Sequence, residues 1–260
     1  MRHDPLELAE ENFTYQLQRA LARVARGEGT GDTLASIAMA YRVLAICALL
    51  RNADSERFAR LLCKSGQVRL HLLERVPLGL KVPAPVLAVS NDVGFCAALA
   101  GGDLVTATKI AAHSPRARFE GWEDEEDFLF FHFLQQLLRA PSEADPLLRL
   151  LDRWNQVVDG DVTPFFSVCQ ALLGSDAYRF STALGEMVEA RKDNLRKYRK
   201  QLDFDPELHA TEGKVYLNGL ALIRLAESRG IPACERYELL PRPALMARCP
   251  TLSEDAWRSP

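Results

Sequence analysis

Strand signals are nearly absent from this chain. No clean apolar/polar alternation runs beyond four residues, and no Asn-Gly or Asp-Gly turn joins two alternating segments, which excludes a β-sandwich or barrel. Long apolar runs are missing too. None reaches 18 uninterrupted residues, and the richest, Leu34 to Leu50, is broken by Tyr41-Arg42, so no membrane span is expected. The opening Met1-Arg2-His3-Asp4-Pro5, followed by Glu7, Glu10 and Glu11, holds no apolar signal core, and a cytoplasmic location is the expectation. Nor does one sign of charge dominate: 32 Lys and Arg face 35 Asp and Glu, a net −3, so the chain as a whole is no polycation built to hold nucleic acid. The six cysteines (Cys47, Cys63, Cys96, Cys169, Cys234, Cys249) are never closer than 15 positions, which excludes CxxC and zinc-finger spacings. They read as small buried hydrophobes.

Catalytic signatures are lacking as well. The glycines from Gly27 to Gly31 have no Lys-Ser/Thr pair behind them and no strand before them, so they read as an interhelix loop. Cys63-Lys64-Ser65-Gly66 is no phosphate loop either. The histidines form no HExxH pair, and His132, inside Phe128-Leu129-Phe130-Phe131-His132-Phe133-Leu134, reads as a half-buried core residue. No GxSxG elbow, kinase set or GxGxxG pattern occurs. No catalytic residue, cofactor or metal ligand is assigned, and the chain is not expected to be an enzyme.

What is present is helix. Hydrophobic residues make up 48% of the 260 and charged ones 26%, enough apolar surface for a sizeable core. From Leu6, apolar residues return at Phe13, Leu17, Ala20, Leu21 and Val24, the spacing of one helix face. After the glycine loop, with Asp32 or Thr33 as cap, helices are expected over 33–51 and 54–74. Three prolines within 77–85 make that stretch a linker or crossing loop. Further helices are expected over 91–100, 103–112, 123–139, 143–158, 164–173, 176–202 and 212–229, with Tyr237 to Pro241 running extended. The fold class is therefore all-α: a single domain of about ten helices packed as irregular antiparallel hairpins, solenoid- or bundle-like. Residues 1–76 are expected to form N-terminal hairpins, 86–230 a helical-repeat body continuous with them, and 231–260 a C-terminal extension.

A faint repeat supports the hairpins. Cys47 to Asp54, Cys96 to Asp103 and Cys169 to Asp176 each place a small residue seven positions before an aspartate, the pattern of a helix that ends, turns and restarts with Asp as its cap. Stacked hairpins make solenoids and bundles, although the unequal offsets of 49 and 73 residues argue against a regular array.

Two charge blocks stand out. Glu120-Gly121-Trp122-Glu123-Asp124-Glu125-Glu126-Asp127 holds six acids in eight residues. Acids in a first helical turn complement the macrodipole, but six exceed what capping needs, and the surplus beside an exposed Trp122 suits capture of a basic partner. Glu120, Trp122, Glu123, Asp124, Glu125, Glu126 and Asp127 are thus the candidate partner-binding residues, with a solvated helix start as the competing reading. Arg191 to Lys200 carries six bases against one acid. Tyr198 there could stack on a nucleobase, but Leu195, Tyr198 and Leu202 share the helix's apolar stripe, which favours a dipole-matched helix end over a nucleic-acid site. The two blocks could also face one another. Trp122 and Trp257 are read as exposed aromatics that leave room for self-association.

Three segments, Val93 to Asp103, Asp127 to His132, and Asn218 to Gly230 closed by Tyr237-Glu238-Leu239-Leu240-Pro241, resemble the immunity protein 49 family, helical proteins encoded beside polymorphic toxins in bacteria. The resemblance spans about residues 93–241. It implies a binding protein that neutralises a cognate toxin domain, encoded by a neighbouring gene, in a tight complex. If that toxin is a nuclease with a basic active-site groove, the acidic block would be its complement. The competing class is a helical-repeat adaptor with a non-toxin peptide or protein partner.

Overall fold

Three turns of the chain are built alike. In the computed structural model, which describes residues 4–140, 143–232 and 236–260, helix α2 (Gly31–Asn52) turns into α3 (Ser55–Arg75), α5 (Val93–Gly101) into α6 (Leu104–His113), and α9 (Pro164–Gly174) into α10 (Ala177–Tyr198). Each first helix stops at a left-handed residue, Ala53, Gly102 or Ser175. The next amide reaches back to a carbonyl of the last turn: Asp54 to Ala48, Asp103 to Ala98, Asp176 to Ala171. The aspartate side chain then accepts the amide three residues on, from Arg57, Thr106 and Arg179, at 2.9, 2.9 and 3.0 Å. One short segment thus satisfies orphan carbonyls of one helix and an orphan amide of the next.

The remaining helices are α1 (Pro5–Ala25), α4 (Ala84–Leu87), α7 (Glu125–Arg139), α8 (Ala144–Val157), α11 (Pro206–Ala210), α12 (Leu217–Ser228) and α13 (Arg242–Met246). The fold is all-α, 70% helical, with no strand among the described residues, and forms a single domain. Several boundaries differ from the sequence reading. Thr30, not Asp32 or Thr33, caps α2 by accepting from the Thr33 amide. The proline stretch holds a 3-10 turn (Val76–Leu78) and α4. Helix α10 ends at Tyr198, so Leu202 lies beyond it and is fully exposed rather than on an apolar stripe. The Tyr237 to Pro241 segment meets α12 through Leu239, which accepts from the Tyr216 amide at 2.8 Å, and forms no strand.

Helix α2 is the hub. It is long and apolar enough to cross a membrane by length and composition (mean hydropathy 1.9), yet 78% of its most apolar 18 residues are buried, because α1, α3, α4 and α5 pack against it. Helix α3 crosses α5 at close range. A Cβ on Gly94 would stand 2.1 Å from Arg69 Cβ, and one on Gly66 2.7 Å from Ala98 Cβ, so the small residues set the separation. Further along, Phe130 of α7, Trp154 of α8, and Phe165 and Phe166 of α9 meet edge to face with centroids 5.0 to 6.2 Å apart.

Buried arginines tie distant pieces together. Arg42 of α2 grips Glu212 through Nε and Nη2 at 2.7 and 2.8 Å, and its Nη1 lies 3.1 Å from Asp92. Burial alone would lower the Arg42 pKa, but the two carboxylates more than reverse this and keep the guanidinium charged. Arg69 donates to the carbonyls of Val86, Leu87 and Ala88 at the end of α4. Arg224 does the same for Ala244, Leu245 and Ala247 at the end of α13. Each stops a very short helix by taking its orphan carbonyls, where a cation also matches the dipole.

Residues 247–260 return as a strap over α2 and α3. Tyr41 Oη lies 2.6 Å from Trp257 O and 2.8 Å from Ser259 O; Lys64 donates to Ser259 O at 2.7 Å and Gln67 to Ser253 O at 2.9 Å. Trp257, read from sequence as exposed, is 1% exposed beneath this strap. Cys63 and Cys249 are bonded to one another, which corrects the reading of both as free; Cys47, Cys96 and Cys169 are free and buried, and Cys234 lies outside the described residues.

Candidate protein-binding face

The acidic block divides in two at the entry of α7. Gly121 takes a positive φ of 80° in the turn that closes when the Trp122 amide donates to Phe119 O at 3.0 Å. Glu123 turns inward. It is buried, and its Oε2 accepts from the Val89 amide at 3.2 Å while Oε1 has no partner. Burial pushes its carboxyl up, the Val89 amide and Arg118 oppose that, and Asp127 adds to it. Glu125 accepts from Arg153 of α8 at 2.8 Å, with Arg118 at 3.8 Å. Glu126 accepts from Thr163 at 2.8 Å and from the Trp154 indole at 3.4 Å. These three acids, all among the candidate partner-binding residues read from the sequence, tie the entry of α7 to its neighbours.

Glu120, Trp122, Asp124 and Asp127 face solvent, the indole 66% exposed. Loss of water around the Asp127 carboxyl where the chain packs beside it, then repulsion from Asp124 and Glu126, pushes that carboxyl up. The bond from Thr163 to Glu126 also draws the loop before α9 against this entry. That loop adds the exposed Asp159, Asp161 and Val162, with Val157 exposed at the end of α8. Two segments joined by the Thr163–Glu126 contact thus expose acids, an indole and two valines, the residue types of apolar anchor and charged surround that protein interfaces use. Sequence reasoning missed the loop residues because only the Thr163–Glu126 contact, 37 positions apart, places them here.

The basic block is elsewhere, on α10 and just beyond it, and half of its six bases are engaged, Arg191 donating to Glu212 O at 3.3 Å. Lys192 bridges Glu189 and Glu238 at 2.9 Å each, and Arg196 pairs with Asp193 at 2.7 Å. Tyr198 accepts from the Asp205 amide at 2.8 Å and donates to Asp203 O at 3.1 Å, fastening the loop after α10. The two blocks do not pair: the acids meet Arg118 and Arg153 instead. His132 stacks on Phe128 with centroids 5.0 Å apart, and burial, then Arg139 and Arg116, pulls its pKa down. One group of possible metal donors converges among the described residues, Cys63, Asp103 and Cys249 at the strap, away from this acidic entry in sequence and in element.

A family model described as Immunity protein 49 matches residues 91–244, more than half of the 260. This chain belongs to the immunity protein 49 family. The match runs from just before α5 into α13, so it includes the acidic face and two of the three repeated hairpin turns, while α1 to α3 and the strap lie outside it. No curated protein and no solved structure matches the chain.

Proposed function

We propose that this immunity protein neutralises a cognate toxin domain, encoded by a neighbouring gene, by binding it tightly in the cytoplasm without catalysing a reaction of its own. Membership in the immunity protein 49 family carries this reading. The acidic, indole-bearing face is the surface we assign to the toxin. Its exposed acids suit a basic active-site groove, steering the encounter and setting register, while Trp122 offers the desolvated anchor. An inhibitor of this kind needs a stiff scaffold, and Glu123, Glu125 and Glu126 supply it by locking the base of the face.

The test is calorimetric titration of the purified chain with the toxin domain of the neighbouring gene. Trp122→Ala should weaken binding about 30-fold or more, equal to roughly 2 kcal/mol for an interface hot spot. Asp124→Lys with Asp127→Lys should slow association and flatten its salt dependence. Unchanged affinity and salt slope in both variants would remove the face from the interface. The three like-built hairpin turns favour the second reading, a helical-repeat adaptor; it gains if the chain does not bind the toxin but retains a different protein from cell extract.

A further inference from the structure

The Cys63–Cys249 bond joins residues 186 positions apart and fastens the strap to α3. It does not sit alone. The two sulfurs and a carboxylate oxygen of Asp103 lie within 4.8 Å of one another, one donor each from α3, the strap and the start of α6. We propose that, once the bond is reduced, this trio forms a site for a thiophilic divalent cation of the Zn2+ type. The strap then stays fastened by the cation in place of the covalent bond.

The chemistry balances. A dithiol reductant passes two electrons and two protons to the sulfurs, closing to its own cyclic disulfide and leaving two thiols. Each thiol releases its proton to solvent as it ligates the cation. Two thiolates and a carboxylate gathered at one point would repel strongly without a counter-ion, and a dication removes that repulsion. The donor set, two sulfurs and one oxygen, suits zinc and leaves a fourth position for water.

Three features of the fold prepare the site. Asp103 is held by its own capping bond, accepting from the Thr106 amide at 2.9 Å, so its carboxylate is fixed rather than free to swing. The Cα atoms of the two cysteines are 6.4 Å apart, a separation that lets the sulfurs part to zinc-ligand spacing by side-chain rotation. Cys249 and Asp103 also line a cavity of about 650 Å³ beneath the strap, together with His71, Lys109, Asp255 and Trp257, which gives an ion and its water a way in.

The full chain, reduced with a dithiol and desalted under inert gas, would be titrated with Co2+ alone as a spectroscopic stand-in for Zn2+. One equivalent should bind with a sulfur-to-cobalt charge-transfer band that Zn2+ displaces. Cys63→Ser and Cys249→Ser should each abolish the band. Asp103→Asn keeps a good helix cap but loses the charge, and should weaken binding about ten-fold or more. Limited proteolysis gives a second readout: Zn2+ should slow cleavage within the strap of the reduced wild type and not of Asp103→Asn. A reduced wild-type chain that binds Co2+ no better than the Cys63→Ser/Cys249→Ser double variant, or a strap indifferent to Zn2+, would overturn the proposal.

Discussion

Replacing Arg42 by methionine keeps the length of the side chain and deletes its charge. Asp92 and Glu212, whose side chains are 21% and 15% exposed, would then hold two carboxylates with no cation between them. Breaking a buried ion pair from one side costs about 3–5 kcal/mol, chiefly from the charge left behind. For 260 residues the unfolding entropy near the midpoint is about 0.55 kcal/mol per kelvin, so the melting temperature should drop about 5–9 °C at pH 7. Scanning calorimetry reads the shift directly. The companion variant Arg42→Met/Asp92→Asn/Glu212→Gln removes the orphaned charges and should regain most of the loss. The reasoning fails if Arg42→Met melts within 2 °C of wild type, or if the triple variant is less stable than the single one.

Three other outcomes follow from the same contacts. Gly94→Ala forces a methyl against Arg69 Cβ and Cγ, 2.1 and 2.6 Å away, and should cost about 1–3 kcal/mol in urea unfolding, whereas a neutral result would mean the α3–α5 crossing is loose. Glu123 has a folded pKa above its ordinary value of 4.5, so its favourable contribution is full below that value and is lost as pH rises through the folded one. Glu123→Gln should therefore match wild type near pH 4 and melt higher at pH 7; a lower melting temperature at pH 7 would contradict this. His132 has a folded pKa below 6.5, so its contribution is full above that value and is lost as pH falls through the folded one, and His132→Gln should shrink the fall in melting temperature between pH 7 and pH 5.

Local grammar was legible and long-range geometry was not. The Cys-to-Asp pattern marked all three hairpin turns because cap, turn and helix end lie within eight residues of one another. The acidic run was visible for the same reason. Its division was not: Glu123 turns inward toward Val89, and Glu126 toward Thr163, through contacts 34 and 37 positions apart. Arg42 read as an interruption of an apolar run, since its carboxylates lie 50 and 170 positions away. Trp257 and Cys249 were misjudged because a tail with no periodicity gives no sign that it folds back over α2 and α3. Leu202 was placed on a stripe that ends four residues earlier, where Tyr198 begins to fasten the following loop.

The central claim, immunity by binding, is tested most directly by growth. The toxin domain of the neighbouring gene would be expressed in cells with and without this chain, alongside the Trp122→Ala/Asp124→Lys/Asp127→Lys variant checked for wild-type melting. Growth with the wild-type chain, death without it and weakened rescue by the variant is the predicted pattern. Death in the presence of soluble, folded wild-type protein would contradict immunity to that toxin, and full rescue by the variant would place the interface on another face.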